Sequence, residues 1–294
     1  MRTTVVFDAE DGTTLRGFVF RDDSGSPGPI IVMAHGFSGV TASLIPYAQH
    51  FADNGFVVLL FDNRNFGSSD GEPRQHINPY QQIADFRDAI TFAQTLPDAD
   101  PTRIGIWGSS YAGGHVLAVG ACDRRVRCVV SQIPMISGHR NAPRLFMPAR
   151  LKSLRRQFAQ ERSALLAGAK PTYVPVFSSD PHADDCVFPP ESAEFIARSE
   201  EAEGWRNEVT LRSVEYLIEY EPGSFAPFVS PTPLLMIVGA NDTVNPPDLQ
   251  LEAFERALEP KRLHIHPGGH FGTYTRQFES TSTEASNWFL QHLT

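Results

Sequence analysis

The chain has 294 residues with 34 acidic against 25 basic side chains, and its formal net charge of −9 argues against nucleic acid or an anionic membrane as the main partner. Apolar residues at 41% and charged residues at 20% are ordinary for a soluble globular protein, and no apolar run approaches the ~18 residues of a membrane span. Three cysteines (Cys122, Cys128, Cys186) lack C-x-x-C spacing, and the N-terminus has no apolar core of a signal peptide, so a cytoplasmic protein with reduced thiols and no metal site is expected.

Residues 3–20 alternate and break at Asp11-Gly12, which predicts two antiparallel strands joined by a tight turn. Residues 30–34 (IIVMA) form a short apolar run of the kind buried on both faces of a parallel sheet, ending in His35-Gly36-Phe37. Helical spacing follows through Leu44, Tyr47, Ala48 and Phe51, terminated at Asn54-Gly55. Residues 56–61 are a second buried strand leading into Asp62-Asn63-Arg64. Asn78-Pro79 reads as an N-cap with proline at N1, starting a helix whose face holds Ile83, Phe86, Ile90 and Ala93. A strand at 103–107, a helix at 110–121 and a strand at 126–130 come next. The pattern then lapses over roughly 139–230 and resumes with a strand near 233–239, a helix after Asn245-Pro246, a strand at 261–266 and an amphipathic helix near 284–293. Strand–helix alternation predicts an open, mostly parallel sheet with helices on both faces. A lapse of about ninety residues is too long for a loop, so residues 139–230 are expected to be an inserted helical cap on a core of 1–138 and 231–294.

The cap's charge is uneven. Residues 139–170 hold eight basic side chains against one acid, Glu161, whereas residues 179–221 hold twelve acids against three arginines. Two readings stay open: the halves face each other or keep the cap solvated, or the basic half guides an acidic partner such as a carrier protein or a coenzyme A thioester. Leu151, Leu154, Phe158 and Leu165 fit one helix face, and Trp205, Val209, Tyr216 and Tyr220 a second one less cleanly.

The chemistry centres on Gly108-Ser109-Ser110-Tyr111-Ala112. Small residues two before and two after Ser110 allow a strand and a helix to crowd into a strained corner that exposes a serine oxygen. Ser109 is a poorer nucleophile, because its frame places Trp107 and Tyr111 where small residues are needed. A serine hydroxyl needs a base held by a carboxylate. Asp242, just past the strand at 233–239, and His270, in the glycine-flanked loop after the last strand, stand in the expected order of serine, acid, histidine. The oxyanion donors are expected to be the backbone N–H groups of Tyr111 and Phe37. His35 is expected to brace its own loop, and Asp62 and Arg64 to pair with each other. His264 and His266 on one strand, and Asp180, His182, Asp184, Asp185 and Cys186 in the cap, have metal-ligand residue types. The histidines read better as packed or solvated side chains, and the cap cluster as a polar loop.

These residues resemble the α/β-hydrolase superfamily. The likeness covers 30–132 and 232–292 and rests on the His35-Gly36 loop, Asp62-x-Arg64-x-x-Gly67-x-Ser69, the Gly108-x-Ser110 corner, Asp242 and His270. Asn65 and Ala112 stand where many members have glycine. Within the superfamily the chain looks like the dienelactone-hydrolase-like branch. Residues 107–117 (WGSSYAGGHVL) and 131–134 (SQIP) are similar to the polyketide transferase/thiohydrolase-like group. The resemblance implies an α/β-hydrolase fold and a serine hydrolase of carboxylic esters or thioesters with no cofactor, and the cap's apolar side chains (Phe146, Met147, Phe158, Phe188, Trp205) suggest a pocket for an apolar acyl group or form the cap's own core. An acyltransferase using the same triad is the alternative, and a non-catalytic binding module on the same scaffold a third reading.

Overall fold

The computed structural model describes residues 1–22, 27–178, 186–188 and 199–294. Two strands, β1 (Arg2–Asp8) and β2 (Thr14–Phe20), form the opening antiparallel hairpin. Its turn uses Gly12 at φ +83, and Arg64 reaches Asp11 in that turn at 2.7 Å. That guanidinium bond, helped by the backbone N–H of Thr13, lowers the Asp11 carboxyl to about 2. A folded pKa below the unfolded ~3.9 means that the contribution is present above about pH 4 and is lost as pH falls through 2. Asp11 is half exposed, so screening limits the effect to about 0.5–1 kcal/mol. Urea unfolding should show Asp11→Asn less stable by that amount at pH 7, with the gap closing between pH 4 and 2.

The remaining strands are β3 (Gly28–Ala34), β4 (Val57–Phe61), β5 (Ala99–Ser109), β6 (Val126–Gln132), and, after the long interval, β9 (Leu234–Gly239) and β10 (Lys261–His266). They join one eight-stranded sheet in the order β1-β2-β4-β3-β5-β6-β9-β10, antiparallel at β1, β2 and β4 and parallel from β4 to β10. Strand β5 begins four residues before the expected 103, because residues 99 and 100 extend its pairing to Gly28 and Pro29 ahead of a bulge.

Alternate residues of β3 feed two cores. Ile30, Val32 and Ala34 pack with α2 (Pro79–Ala93), α3 (Tyr111–Cys122) and the helix Pro247–Arg256; Ile31 and Met33 pack with α1 (Ile45–Asp53) and the C-terminal helix Phe278–Leu293. Such two-faced burial is what period-2 side chains in an apolar strand require. Helix α2 starts where its cap predicts, with the Asn78 side chain accepting from the N–H groups of Tyr80 and Gln81. The C-terminal helix begins earlier than the periodicity near 284 suggests. Its first turns are a run of serines and threonines with weak helix preference, and Phe278 anchors them by packing 4.8 Å from the Tyr47 ring.

Between β6 and β9 lie α4 (Gly138–Leu145), α5 (Pro148–Leu166), the short antiparallel pair β7 (Tyr173–Val174) and β8 (Val209–Thr210), and α6 (Leu211–Glu219). Trp205 and Val209 do not belong to the second helix, contrary to expectation. Thr210 caps it by accepting from the Ser213 N–H, so the helix cannot begin earlier, and Tyr220 is its C-cap. Helix α5 buries Leu151, Leu154 and Phe158, together with Glu161, whose carboxylate accepts from the Thr172 N–H and hydroxyl at 2.8 Å. The two charge-biased halves meet only in part. Arg162 pairs with Glu215, but Arg140 and Arg144 reach Glu252 and Asp248 on the helix Pro247–Arg256. The side chains of Lys152, Arg155 and Arg156 are exposed on α5. Among the described residues no helix is long and apolar enough to cross a membrane.

Candidate active site

Strand order decides which loops meet. Strands β3 and β5 are neighbours, so the loop after β3 lies beside the corner after β5; β9 and β10 are neighbours, so the loops that follow them lie side by side. All four loops leave the carboxyl ends of parallel strands, where open α/β sheets gather ligands.

At the corner Ser110 has φ +59 and ψ −116, a backbone position that non-glycine residues seldom occupy and that costs about 1–3 kcal/mol. Three backbone hydrogen bonds hold it: its N–H donates to Gln132 O, and its carbonyl accepts from the N–H groups of Gly114 and Met135. Gly113 lets this happen, since a Cβ there would lie 2.8 Å from that same Gln132 oxygen. The hydroxyl that emerges is Ser110 Oγ, 2.9 Å from His270 Nε2. Ser109 Oγ points elsewhere, 2.6 Å from the Tyr274 hydroxyl.

The other ring nitrogen of His270, Nδ1, is 2.8 Å from Asp242 Oδ2. Because an ionised carboxylate only accepts, that nitrogen carries the proton, and Nε2 is left to accept from Ser110. The second carboxylate oxygen accepts from the N–H groups of Val244 and Asn245 at 2.9 and 2.7 Å. Asp242 therefore does two things: it stiffens its own turn and orients the imidazole. Both residues are buried, Asp242 to 4% and His270 to 2% exposure, so the interaction is little screened by solvent.

Sequence reasoning did not reveal what holds the His270 loop. His266 is buried in β10; its Nδ1 accepts from the Gly268 N–H at 3.1 Å, and its Nε2 donates to Thr273 Oγ1 at 3.0 Å. Burial, helped by His264, lowers the His266 pKa and keeps the ring neutral, as this pattern of one acceptor and one donor requires. His264 bonds to Ser280 Oγ, so the two histidines do not share a ligand. Asp180, His182, Asp184 and Asp185 lie outside the described residues. Cys186 Sγ is 3.2 Å from Phe188 O, and among the described residues no cluster of three or more ligating side chains could hold a metal. His115, one turn beyond Ser110, is wholly buried between Tyr220 OH and Gln82 Oε1 at 2.8 and 3.0 Å. Burial and the neighbouring His35 take its pKa down to about 3, so it stays neutral.

The loop after β3 presses on the serine corner. A Cβ on Gly36 would sit 3.1 Å from Ser110 Cβ and 3.5 Å from the Tyr111 nitrogen, so glycine is what lets the two backbones approach. Among the described residues neither Phe37 N–H nor Tyr111 N–H has a protein acceptor; the latter opens α3, where the first N–H groups have no intrahelical partner. His35 braces this loop through Nδ1 to Gly36 O at 2.9 Å and by accepting from the Asn63 N–H at 3.0 Å. Burial holds its pKa down.

Asp62 and Arg64 do not pair with each other. The Asp62 carboxylate accepts from the N–H of Thr41 and from the N–H and hydroxyl of Ser68, satisfying a buried charge from nearby backbone. Arg64 instead lays its fork on Asp85 of α2, a carboxylate with no solvent exposure. Bidentate geometry suits guanidinium better than a contact two residues away.

A cavity opens onto Ser110 and His270. Among the described residues its walls are mainly apolar, with Phe37, Phe177, Phe188, Trp205, Phe271 and Tyr274 as the largest side chains. Several are arranged edge to face: Phe37 stands 5.4 Å from both Tyr111 and Phe188, and Phe177 stands 5.6 Å from Phe271.

A family model described as alpha/beta hydrolase fold matches residues 29–277. Thiohydrolase aneE of Aspergillus aculeatus is 34% identical over 274 residues, covering 89% of this chain and 84% of its own length. Polyketide transferase claH of Penicillium crustosum is 30% identical, covering 91% and 89%. The crystal structure of the alpha/beta hydrolase GrgF from Penicillium sp. superposes with a TM-score of 0.86 at 28% identity, covering 100% of this chain and 99% of that one.

Proposed function

The chain belongs to the alpha/beta hydrolase fold family, and on that premise we propose that it is a serine hydrolase of carboxylic esters or thioesters with an apolar acyl group. The observation that carries this is the continuous hydrogen-bonded line from Asp242 through His270 to Ser110, ending at the mouth of an apolar cavity. Ser110 Oγ attacks the carbonyl carbon while His270 Nε2 takes its proton. Negative charge moves onto the carbonyl oxygen and is met by the N–H groups of Phe37 and Tyr111. His270 then returns the proton to the leaving oxygen or sulfur, and the acyl group remains on Ser110. Water, deprotonated by the same imidazole, releases the acid and restores the serine. Residues 139–230 act as the cap over a core of 1–138 and 231–294. Labelling with a fluorophosphonate should place the adduct on Ser110, and an ester, thioester, lactone and amide panel should rank the leaving groups. Absence of any adduct would favour a binding module instead.

The acyl-enzyme need not meet water. The likeness to a polyketide transferase, together with the mainly apolar walls around the serine, supports transfer to an alcohol or amine as the second reading. Product analysis in limiting water, with and without added alcohol, separates the two.

The exposed Lys152, Arg155 and Arg156 on α5 suit an acidic carrier protein or a coenzyme A thioester. Replacing Arg155 and Arg156 by Gln is expected to raise KM for a carrier-bound acyl thioester several-fold, with the effect shrinking in high salt. Equal effects on a small neutral ester would remove this docking role.

A further inference from the structure

We infer that Ser109 and Tyr274 are a positioning pair, whose hydrogen bond holds the His270 imidazole against the Ser110 hydroxyl; this rests on the serine-hydrolase reading. Ser109 Oγ and the Tyr274 hydroxyl are 2.6 Å apart. Their bond joins the residue before the nucleophile to the last residue of the 3-10 turn Phe271–Tyr274, whose N-cap is His270.

The catalytic contact needs such a tie. Strands β6 and β9 lie between β5, which ends at Ser109, and β10, which leads into the His270 loop. Three strand spacings are about 14 Å, and β5 pairs with β3 and β6 instead of β10. The 2.9 Å between Ser110 Oγ and His270 Nε2 is therefore set by how the His270 loop is anchored. Two bonds hold its turn to α1 and β10: the Tyr47 hydroxyl donates to Thr273 O at 2.9 Å, and His266 Nε2 donates to Thr273 Oγ1 at 3.0 Å. The bond from Tyr274 to Ser109 reaches the strand that carries the nucleophile.

The surroundings strengthen that bond. Ser109 is wholly buried on the face of β5 that also carries Trp107, and Trp107 and Tyr274 pack in one apolar cluster. A hydroxyl pair in such surroundings is screened less than it would be in water, and breaking it costs more. Gln132 on the neighbouring strand donates from Nε2 to Ser109 Oγ at 3.3 Å, and its carbonyl accepts the Ser110 N–H at 2.9 Å. One residue of β6 thus steadies both the pair and the nucleophile's backbone. Because Ser109 keeps Gln132, loss of the Tyr274 hydroxyl does not leave it a buried orphan.

The test breaks the bond from each end. Tyr274→Phe keeps the ring at the cavity wall and removes only the hydroxyl; Ser109→Ala removes the partner oxygen. Each is expected to lower kcat on p-nitrophenyl octanoate about tenfold per active site, counted by fluorophosphonate titration, with KM unchanged within about twofold. The rate of fluorophosphonate labelling should fall by a similar factor, since it draws on the same proton transfer from Ser110 to His270. The double variant should be no slower than either single one, because both delete one bond. A per-site kcat within about twofold of wild type in either variant overturns the pair, and so do losses that multiply in the double variant. A KM that rises in Tyr274→Phe alone also overturns it, by placing that hydroxyl on the substrate. Turnover that survives Ser110→Ala overturns the hydrolase reading itself, and is read in a separate arm.

Discussion

Ser110→Ala is expected to keep its fold and lose about 10⁴-fold or more in kcat on short p-nitrophenyl esters. The substitution removes one oxygen whose observed partner is His270 Nε2, leaving the backbone bonds of the corner intact. The oxyanion donors would still bind substrate, so a small residual rate above the uncatalysed one should remain. Asp242→Asn should lose about 10⁴-fold by a different route. Its amide oxygen can go on accepting from Val244 and Asn245, while its NH₂ faces His270 Nδ1 and forces the ring proton onto Nε2. A protonated Nε2 cannot accept from Ser110. Combining the two changes should cost little more than either alone, since both disable one unit. Circular dichroism and single-turnover kinetics on the same preparations check this. Wild-type turnover in the serine variant would refute the assignment outright.

What could be read from sequence follows how locally each feature is encoded. The parallel strands were legible because their burial on both faces leaves uninterrupted apolar runs, and the serine corner because its small residues are contiguous. Asp242 and His270 were placed by chain order, and the structure brings them within 2.8 Å of each other and His270 within 2.9 Å of Ser110. Arg64 was misread because its partner, Asp85, lies twenty-one residues away on a helix whose inward face was read from Ile83, Phe86, Ile90 and Ala93 alone. Position 85 falls beside Phe86 and one turn from Ala89, a face that packs wholly inward. His266 carried a ligand-like pattern with His264, but its partners Gly268 and Thr273 are ordinary residues with no signature. The second cap helix was misplaced because the residues read as one face fall in a loop (Trp205), a strand (Val209), the helix (Tyr216) and its C-cap (Tyr220). For Arg64 the lost information was a long-range packing choice; for His266 and the second cap helix it was local hydrogen bonding by residues that carry no pattern.

Gly108→Ala is expected to destabilise the protein by about 3 kcal/mol and to lower kcat about 100-fold in the fraction that folds. A Cβ at 108 would lie 2.1 Å from Ala112 O and 2.5 Å from Ala112 C, both backbone atoms of the helix that follows the serine. No side-chain rotation relieves such a contact; the helix start must back away from the strand, and it takes the Tyr111 N–H and the Ser110 backbone with it. Val116 Cγ1, 2.9 Å from the same point, closes the remaining direction. The motif's other small position behaves differently. Ala112 is already wholly buried in the core with its methyl accommodated, so Ala112→Gly should cost only about 1 kcal/mol of helix preference and leave kcat within about twofold. Close approach at this corner is thus a demand on Gly108, two residues before the serine, and on Gly113, and an alanine at 112 is no defect. Urea unfolding paired with active-site titration separates lost protein from lost rate. A Gly108→Ala variant as stable and as active as wild type would show that the strand and helix are not in contact there.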